Sequence, residues 1–194
     1  MRRALIIFAK NPEKGKVKTR LAKDLGSNEA LTWYLRLLKR TETAIQGLTA
    51  EKTVYWSKAE PLHPPAFYRD EFAHKVQQGE NLGDKMSQAI EDQFRKGYDA
   101  LVIIGTDCWD LKPKHIEEAY QLLRKNDVVM GPAKDGGYYL LGMNRYHPEL
   151  FENVPWSTEE VANVTRKACQ KLELSMAEIE TLNDVDKVHD LPLI

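Results

Sequence analysis

The chain has 194 residues, of which 42% are hydrophobic and 29% are charged, and its formal net charge is -1. This composition excludes an intrinsically disordered chain and predicts a single domain, over residues 1–194, with a hydrophobic core. The balanced charge disfavours a protein that coats nucleic acid, because such domains carry a basic excess.

Cysteine use and hydropathy narrow the class of protein further. Cys108 and Cys169 form no CxxC pair, which disfavours a zinc site and a disulfide framework. The apolar run near the N-terminus is shorter than the core of a signal peptide, and no run approaches the ~20 residues of a membrane span. We therefore expect a cytoplasmic protein that binds neither membrane nor nucleic acid, and we leave its oligomeric state open.

The first half of the chain alternates between strand and helix patterns. ALIIFA (4–9) is a short unbroken apolar run, which is typical of a strand buried on both faces. A loop and a short helix follow, and Gly26 separates that helix from a second one, which Ser27 caps and Gly47 ends. The remaining patterns predict strands at KTVYWS (52–57) and KVQQ (75–78), and a helix over about 82–96.

Strand patterns dominate the second half. The predicted strands are ALVIIG (100–105), DVVMG (127–131), YYLLGM (138–143) and LELSM (172–176). Pro113 suits the first turn of a helix, and Ser157 with Glu160 predicts a capping box for a helix that runs to Lys171. The alternation predicts an α/β fold, a three-layer, Rossmann-like, mixed but mostly parallel sheet with helices on both faces.

Acidic residues follow several of the predicted strands. TDCWD (106–110), PAKDGG (132–137) and NDVD (183–186) each come directly or shortly after one. Because ligands bind outside the carboxyl ends of the strands in such sheets, we expect one edge to carry five carboxylates: Asp107, Asp110, Asp135, Asp184 and Asp186. Crowded carboxylates repel one another unless a cation lies between them, and hard oxygen ligands suit Mg²⁺ or Mn²⁺.

A basic loop, KNPEKGKVKTRLAK (10–23), follows the first strand. It matches neither the Walker A pattern nor G-x-G-x-x-G, since Gly15 is its only glycine. Its side chains would therefore have to hold a diphosphate, and Lys18 and Arg20 are best placed, near the N-terminus of a helix. We assign nucleotide binding to this set: Lys10, Gly15, Lys16, Lys18 and Arg20.

The DGG element has two interpretations. Asp followed by two glycines is a turn signal, but Gly136 and Gly137 would also let a backbone approach a ligand closely. We assign both glycines and Asp110 to substrate binding, and we take Asp107 and Asp135 as the candidate catalytic residues. Each aspartate also has an ordinary interpretation as a turn former or helix cap.

Four segments together resemble a known family: FAKNPEKGKVKTRLAKDLG (8–26), GTDCWDL (105–111), GPAKDGGYYLLG (131–142) and VPWSTEEV (154–161). They are similar to the signature blocks of a bacterial group of glycosyltransferase-A-fold proteins, related to nucleotide-diphospho-sugar transferases. Its members are described as uncharacterised transferases associated with radical-SAM enzymes, and some as arsenosugar-biosynthesis glycosyltransferases. The resemblance implies a Rossmann-like mixed sheet with a divalent metal at an acidic motif.

The resemblance also implies roles for individual residues. Asp107 matches the metal-binding aspartate after the central strand, while Asp184 and Asp186 resemble a late D-x-D of lactyl-phosphate guanylyltransferases. These three residues form the predicted metal site. Lys18 and Arg20 match the KTRL element of the nucleotide-binding first loop. The DGG element matches one that borders the acceptor or sugar side.

Three functions remain open at this point. The leading interpretation is a glycosyltransferase that uses Mg²⁺ or Mn²⁺ and passes a sugar from a nucleotide-diphospho-sugar to a small acceptor. The alternative is a nucleotidyltransferase, similar to the guanylyltransferases, that binds an NTP and releases pyrophosphate. A non-catalytic nucleotide-binding module is the third, and it is favoured by Lys187 and by Trp109, where the family commonly has proline.

Overall fold

The computed structural model describes residues 1–68 and 70–192. Within them, seven strands form one sheet in the order β3-β2-β1-β4-β6-β5-β7. The strands are β1 (Arg3–Ala9), β2 (Glu51–Trp56), β3 (Ala73–Val76), β4 (Ala100–Ile104), β5 (Val128–Pro132), β6 (Tyr138–Met143) and β7 (Met176–Glu178). The α-helices are α1 (Thr19–Ile45), α2 (Leu82–Phe94), α3 (Pro113–Leu122) and α4 (Val161–Lys171). Two short 3-10 helices span Pro148–Phe151 and Val188–Asp190.

The sheet is mixed and mostly parallel. Every described strand pair is parallel except the two that β6 makes with β4 and β5. The predicted α/β fold is therefore confirmed. The carboxyl ends of β1, β4 and β5 lie on one edge of the sheet, and β6 starts at this edge because it returns directly from β5.

Two hydrophobic cores lie on opposite faces of the sheet. Leu5 and Ile7 of β1 face the first core, with side chains from α1 and α3. Ala4 and Ile6 face the second core, with side chains from α2 and α4. Burial on both faces explains why β1 and β4 are unbroken apolar runs. Among residues 1–68 and 70–192, no helix is long and apolar enough to cross a membrane.

The element boundaries agree with the predictions in most places. Gly26 (φ 80°, ψ 161°) interrupts α1, so the predicted break between two helical segments is confirmed. The predicted capping box was wrong, because Ser157 has a left-handed backbone (φ 67°) and α4 starts at Val161. The last strand was also misplaced: Glu173 (φ 55°) turns the chain after α4, and β7 begins only at Met176.

Candidate active site

The loop after β1 is anchored to α1 and to the segment after β2. The Tyr34 hydroxyl accepts a hydrogen bond from the Lys10 N–H (2.7 Å) and donates one to the Lys10 carbonyl (2.9 Å). The Asn11 side chain accepts from the Lys58 N–H (2.9 Å) and donates to the Ala59 carbonyl (2.8 Å). Since Tyr34 is buried in the first core, the start of the loop has a fixed position.

The loop then turns at Gly15, whose φ of 76° favours glycine. The Lys16 N–H closes the turn by donating to the Glu13 carbonyl at 3.0 Å. Lys10 and Lys16 are exposed and line a cleft at the carboxyl edge of the sheet, whereas Gly15 is not among the described residues that line it. The structure thus shows a conformational role for Gly15 in the loop, and its assignment to nucleotide binding stays a prediction.

Lys18 is the central cation of this edge. Its backbone is left-handed (φ 47°, ψ 46°) directly before α1, and its side chain is only 4% exposed. The Nζ atom lies 2.7 Å from Asp107 Oδ1 and 3.2 Å from Asp186 Oδ1, and it donates to the Val185 carbonyl at 2.6 Å. Burial alone would lower the pKa of the Lys18 ammonium, but the two carboxylates outweigh burial and raise it.

The carboxylates come from three separate parts of the chain. Asp107 follows β4, Asp135 lies in the turn between β5 and β6, and Asp184 and Asp186 belong to the segment after β7. That segment docks on the end of β4 through a bridge between Cys108 and Asp184. All four carboxylates line the same cleft, so the structure brings together these four of the five predicted acidic residues.

The surroundings of Asp184 disfavour the negative charge of its carboxylate. Its burial, followed by the negative charges of Asp107 and Asp135, raises the pKa of the Asp184 carboxyl to about 7. The described residues offer its carboxylate no hydrogen bond, and only the charge of Lys18 counteracts the shift. An additional cation beside Asp184 would therefore be stabilised.

Of the three residues of the predicted metal site, Asp107 and Asp184 have a carboxylate oxygen available for a metal, whereas Asp186 does not. Asp186 has both oxygens engaged, Oδ1 by Lys18 and Oδ2 by Arg20 at 3.1 Å. Among the described residues, no group of three or more His, Cys, Asp or Glu side chains is arranged to hold a metal ion. Asp107 and Asp184 remain, and two carboxylates suit Mg²⁺, which is usually held by one or two carboxylates together with substrate phosphates.

The DGG turn has a packing role that the sequence did not reveal. A Cβ atom on Gly136 would lie 2.0 Å from the Glu159 carbonyl oxygen, and the Gly136 φ is 89°. The Gly136 carbonyl also accepts from the Ala162 N–H at 2.9 Å. Gly136 therefore packs against the 156–160 segment and is not among the described residues that line the cleft, so its assignment to substrate binding stays a prediction. Gly137 does line the cleft and donates to Asp135 Oδ1 at 2.9 Å.

Asp110 lies outside the cleft. It is exposed and lines a separate depression of about 270 Å³ with Lys112, Lys134 and Glu180. The prediction that Asp110 binds substrate beside Asp107 is not supported by this position, because the chain turns away after Trp109. The Arg40 guanidinium holds that turn by donating to the Trp109 carbonyl at 3.1 Å.

The cleft has a volume of about 690 Å³, and several residues that line it escaped sequence analysis. They are Phe8, Tyr34, Leu82, Met86, Tyr138 and Trp156. Tyr34, Leu82 and Met86 belong to helices, where their spacing predicts core packing. No signal in the sequence distinguishes a helical core residue from one that borders a cleft, because both follow the same periodicity.

Comparison with known families decides where the chain belongs. The family described as "Uncharacterized protein conserved in bacteria (DUF2064)" matches residues 41–158, more than half of the chain. The chain is a member of DUF2064. The matched region contains Asp107 and Asp135, but the basic loop and the pair Asp184 and Asp186 lie outside it.

Curated relatives of this DUF2064 protein are guanylyltransferases. A 2-phospho-L-lactate guanylyltransferase of Methanocaldococcus sp. (strain FS406-22) is 30% identical over 129 residues, which cover 64% of the chain and 52% of the relative. The protein of the same name from Methanocaldococcus jannaschii is also 30% identical, over 64% of the chain and 53% of its own length. The chain thus spans about half the length of the curated relatives it matches.

Solved structures support the same fold. A candidate nucleotide-diphospho-sugar transferase from Desulfovibrio desulfuricans G20 superposes with a TM-score of 0.89 and is 29% identical, covering 97% of the chain and 84% of that protein. That structure is described as a candidate transferase, and the curated relatives are named as guanylyltransferases.

Proposed function

We propose that this DUF2064 protein is a nucleotidyltransferase that moves a nucleoside monophosphate from an NTP to a small acceptor and releases pyrophosphate. The observation that carries this proposal is the single cleft in which the cations of the first loop face four carboxylates. The names of the curated relatives agree with it. Because the chain covers only half of those relatives, the activity rests on the geometry of the cleft itself.

The first loop supplies the phosphate-binding groups in this proposal. Lys10 and Lys16 have no carboxylate partner among the described residues, so their charges are available to the triphosphate. Arg20 is 60% exposed in its side chain and shares Asp186 with Lys18. The N-terminus of α1 begins at Thr19 and adds the positive end of a helix dipole. Asp186 thereby orients two phosphate-binding cations and does not itself bind the metal.

Asp107 and Asp184 would hold Mg²⁺ or Mn²⁺ together with the phosphates. When bound, the ion neutralises the charge that develops on the leaving pyrophosphate. The segment that carries Asp184 is held beside Asp107, because the Val185 N–H donates to the Asp107 carbonyl at 2.9 Å. Asp135 lines the same cleft and is positioned by the Gly137 N–H, so we assign it as the group that accepts the proton of the acceptor.

A second function has one specific observation in its favour. The structure that covers 97% of the chain is described as a candidate nucleotide-diphospho-sugar transferase. Under that function the same cations would hold a diphosphate, and a sugar in place of a nucleotidyl group would be transferred. The two functions therefore differ in the leaving group and share the phosphate site.

A ligand and product screen separates the two functions. Melting temperature is measured with NTPs and with UDP- and GDP-sugars, each with and without Mn²⁺, and pyrophosphate release is measured with the NTPs. We expect a Mn²⁺-dependent shift and pyrophosphate release with at least one NTP. A shift with nucleotide-sugars alone would instead establish the glycosyltransferase function, and no shift with any of them would contradict both.

The Asp107→Asn variant tests the metal assignment, with Asp110→Asn as a matched control. Both aspartates follow β4, but only Asp107 lines the cleft. We expect Asp107→Asn to abolish the Mn²⁺-dependent part of the shift while Asp110→Asn retains it. Equal loss in both variants would mean that Asp110 belongs to the site after all.

Several expectations from the sequence stay predictions. These are the single domain over residues 1–194, the cytoplasmic location and the link to radical-SAM or arsenosugar enzymes. Each is independent of the chemistry proposed for the cleft.

A further inference from the structure

The cleft has a second wall that the phosphate site does not use. It is formed by α2, the start of β6 and the segment before α4, and its members are Leu82, Met86, Tyr138, Trp156, Ser157, Thr158 and Glu159. Its composition differs from that of the first loop, because it combines apolar and aromatic surface with hydroxyl and carboxylate groups.

The cations of the cleft and the carboxylate of Glu159 lie on different walls, the cations on the first loop and Glu159 on the second wall. The cations that line the cleft within the described chain are Lys10, Lys16, Lys18 and Arg20, and all four belong to the first loop. The second wall carries Glu159 and adjoins Asp135, and none of its described residues is a cation. Lys18 and Arg20 already share Asp186, so a bound triphosphate would engage the remaining positive charge. An acceptor with its own phosphate or carboxylate would therefore meet repulsion.

Trp156 gives this wall a rigid flat surface. It is partly exposed at the cleft and stacks on Phe151 with ring centroids 6.5 Å apart and an interplanar angle of 17°. Its indole edge fits against Gly83, where a Cβ atom would lie 2.3 Å from the Trp156 Nε1. Gly136 fixes the same segment from its other end by packing on Glu159. A ring on this surface would thus meet a preformed aromatic face.

Tyr138 adds an unsatisfied polar group. Its hydroxyl is buried and has no hydrogen-bond partner among the described residues. Because this hydroxyl is closed to the cleft, the polar groups that a ligand can reach on the second wall are those of Ser157 and Glu159, which are exposed. A hydroxyl and a carboxylate at the edge of an aromatic face suit a ligand with several hydroxyl groups.

We propose that the acceptor is an uncharged polyhydroxylated ring, a sugar or a cyclitol, whose apolar face lies on Trp156. This inference rests on the proposed nucleotidyl transfer and differs from the phosphorylated acid in the names of the curated relatives. An acceptor hydroxyl oxygen forms a bond to the α-phosphorus, and the bond from that phosphorus to the bridging oxygen breaks. Pyrophosphate leaves with the electron pair, and the hydroxyl proton passes to Asp135.

The test begins with an acceptor panel. Pyrophosphate release is measured with the NTP that shifts the melting temperature, Mn²⁺, and either neutral hexoses and inositols or phospholactate and phosphoglycerates. We expect neutral rings to stimulate release and phosphorylated acids to leave it at the background rate. Stimulation by the acids alone would overturn the proposal while leaving nucleotidyl transfer intact.

Two variants locate the acceptor. Trp156→Ala should raise the acceptor KM by about tenfold and change the NTP KM by less than about twofold, with Trp156→Phe intermediate. If Trp156→Ala weakens the NTP instead, Trp156 serves the nucleotide and the proposal fails. Glu159→Lys should admit phosphorylated acceptors, whereas the matched control Glu160→Lys, which is also exposed but lies outside the cleft, should not.

A binding measurement keeps the two proposals separate. Saturation-transfer NMR reports contact of neutral rings with the protein whether or not turnover occurs. If neutral rings contact the wild type but not Trp156→Ala, and no NTP shifts the melting temperature, then nucleotidyl transfer is refuted and the ring site is supported. If an NTP shifts the melting temperature but neutral rings neither contact the protein nor stimulate pyrophosphate release, then the ring site is refuted and nucleotidyl transfer is supported.

Discussion

Lys18 combines three constraints in one residue. Its backbone is left-handed, its ammonium is buried, and Asp107 and Asp186 bracket its Nζ atom. The sequence predicted a cation between crowded carboxylates and assigned that role to a metal. In the structure the ammonium of Lys18 already neutralises part of the negative charge of these carboxylates. A metal ion would neutralise the charge that remains at Asp184.

Replacing Lys18 tests this charge balance. Lys18→Met keeps most of the length of the side chain but leaves Asp107 without a cation and Asp186 with Arg20 alone, so we expect a loss of about 2 kcal/mol in the free energy of unfolding at pH 8. Because the folded-state pKa is raised above 10.5, the ion-pair contribution is fully present below pH 10.5 and is lost only above it. Urea unfolding measures the loss.

The control for Lys18 is Lys14→Met. Lys14 is exposed in the same loop and has no carboxylate partner in the described part of the chain. It should change the free energy of unfolding by less than about 0.5 kcal/mol. Equal effects of the two substitutions would show that the buried ion pairs contribute nothing to stability.

Asp184 predicts a second loss of stability with rising pH, at a lower pH than that of Lys18. Its pKa rises from 3.8 to about 7 on folding, so between these pH values the folded state holds a proton that the unfolded state has released. Stability should therefore fall as the pH rises from 4 to 7 and stay level above that. In EDTA, Asp184→Asn should be more stable than the wild type at pH 8 by about 1 to 3 kcal/mol and equal to it at pH 4.

The measurement is urea unfolding at the two pH values. If the difference in free energy of unfolding between Asp184→Asn and the wild type is the same at both pH values, the raised pKa of Asp184 is contradicted.

At the scale of elements, the turn after β5 determines where the segment before α4 lies. Gly136 lets that segment approach, and Ser157 bends it so that α4 starts at Val161. The sequence pattern at 157–160 favours a helix start locally. Tertiary packing overrides it, because the Glu159 backbone packs directly on Gly136 and the Ala162 N–H donates to the Gly136 carbonyl.

Gly136→Ala and Gly15→Ala form a matched pair. Both glycines have positive φ, but a Cβ at Gly15 meets nothing within 4 Å, whereas one at Gly136 overlaps the Glu159 backbone. We expect Gly15→Ala to cost about 1 kcal/mol from backbone strain alone, and Gly136→Ala to cost at least about twice that. Thermal unfolding measures both, and equal losses would argue against close packing at Gly136.

Sequence reasoning located the strands and predicted that most of the candidate site residues would meet at one edge of the sheet, and it did so for a physical reason. Buried strands are apolar runs, and the residues after them converge on one edge in any parallel sheet. Asp107, Asp135 and Lys18 were therefore predictable. The pairing of Lys18 with Asp186, 168 residues away, was not, because it depends on how the segment after β7 docks. The position of Asp110 outside the cleft was not predictable for a similar reason, since no pattern shows which way a turn points.

At the scale of the whole molecule, β4 is the centre of the sheet. It pairs with β1 and β6, and all five of its residues are buried. β3 and β7 are edge strands of four and three residues. Stability is therefore expected to decrease from the centre of the sheet towards both edges.

Hydrogen exchange tests this gradient. Amides of β4 should exchange only by global unfolding, about 100-fold or more slowly than those of β3 and β7. Mass spectrometry of peptic fragments measures the rates. Equal protection of β7 and β4 would show that the last strand belongs to the same cooperative unit as the centre.

The docking of residues 182–186 has a consequence for protein synthesis. Ala133 and Cys108 form bridges to Leu182 and Asp184, and this short segment supplies two of the four carboxylates and the carbonyl that holds Lys18. A nascent chain that has passed β6 possesses the sheet's centre and the basic loop but lacks these partners. It should acquire nucleotide affinity only after residue 186 has been made, so the growing polypeptide remains inert while most of its fold is already in place.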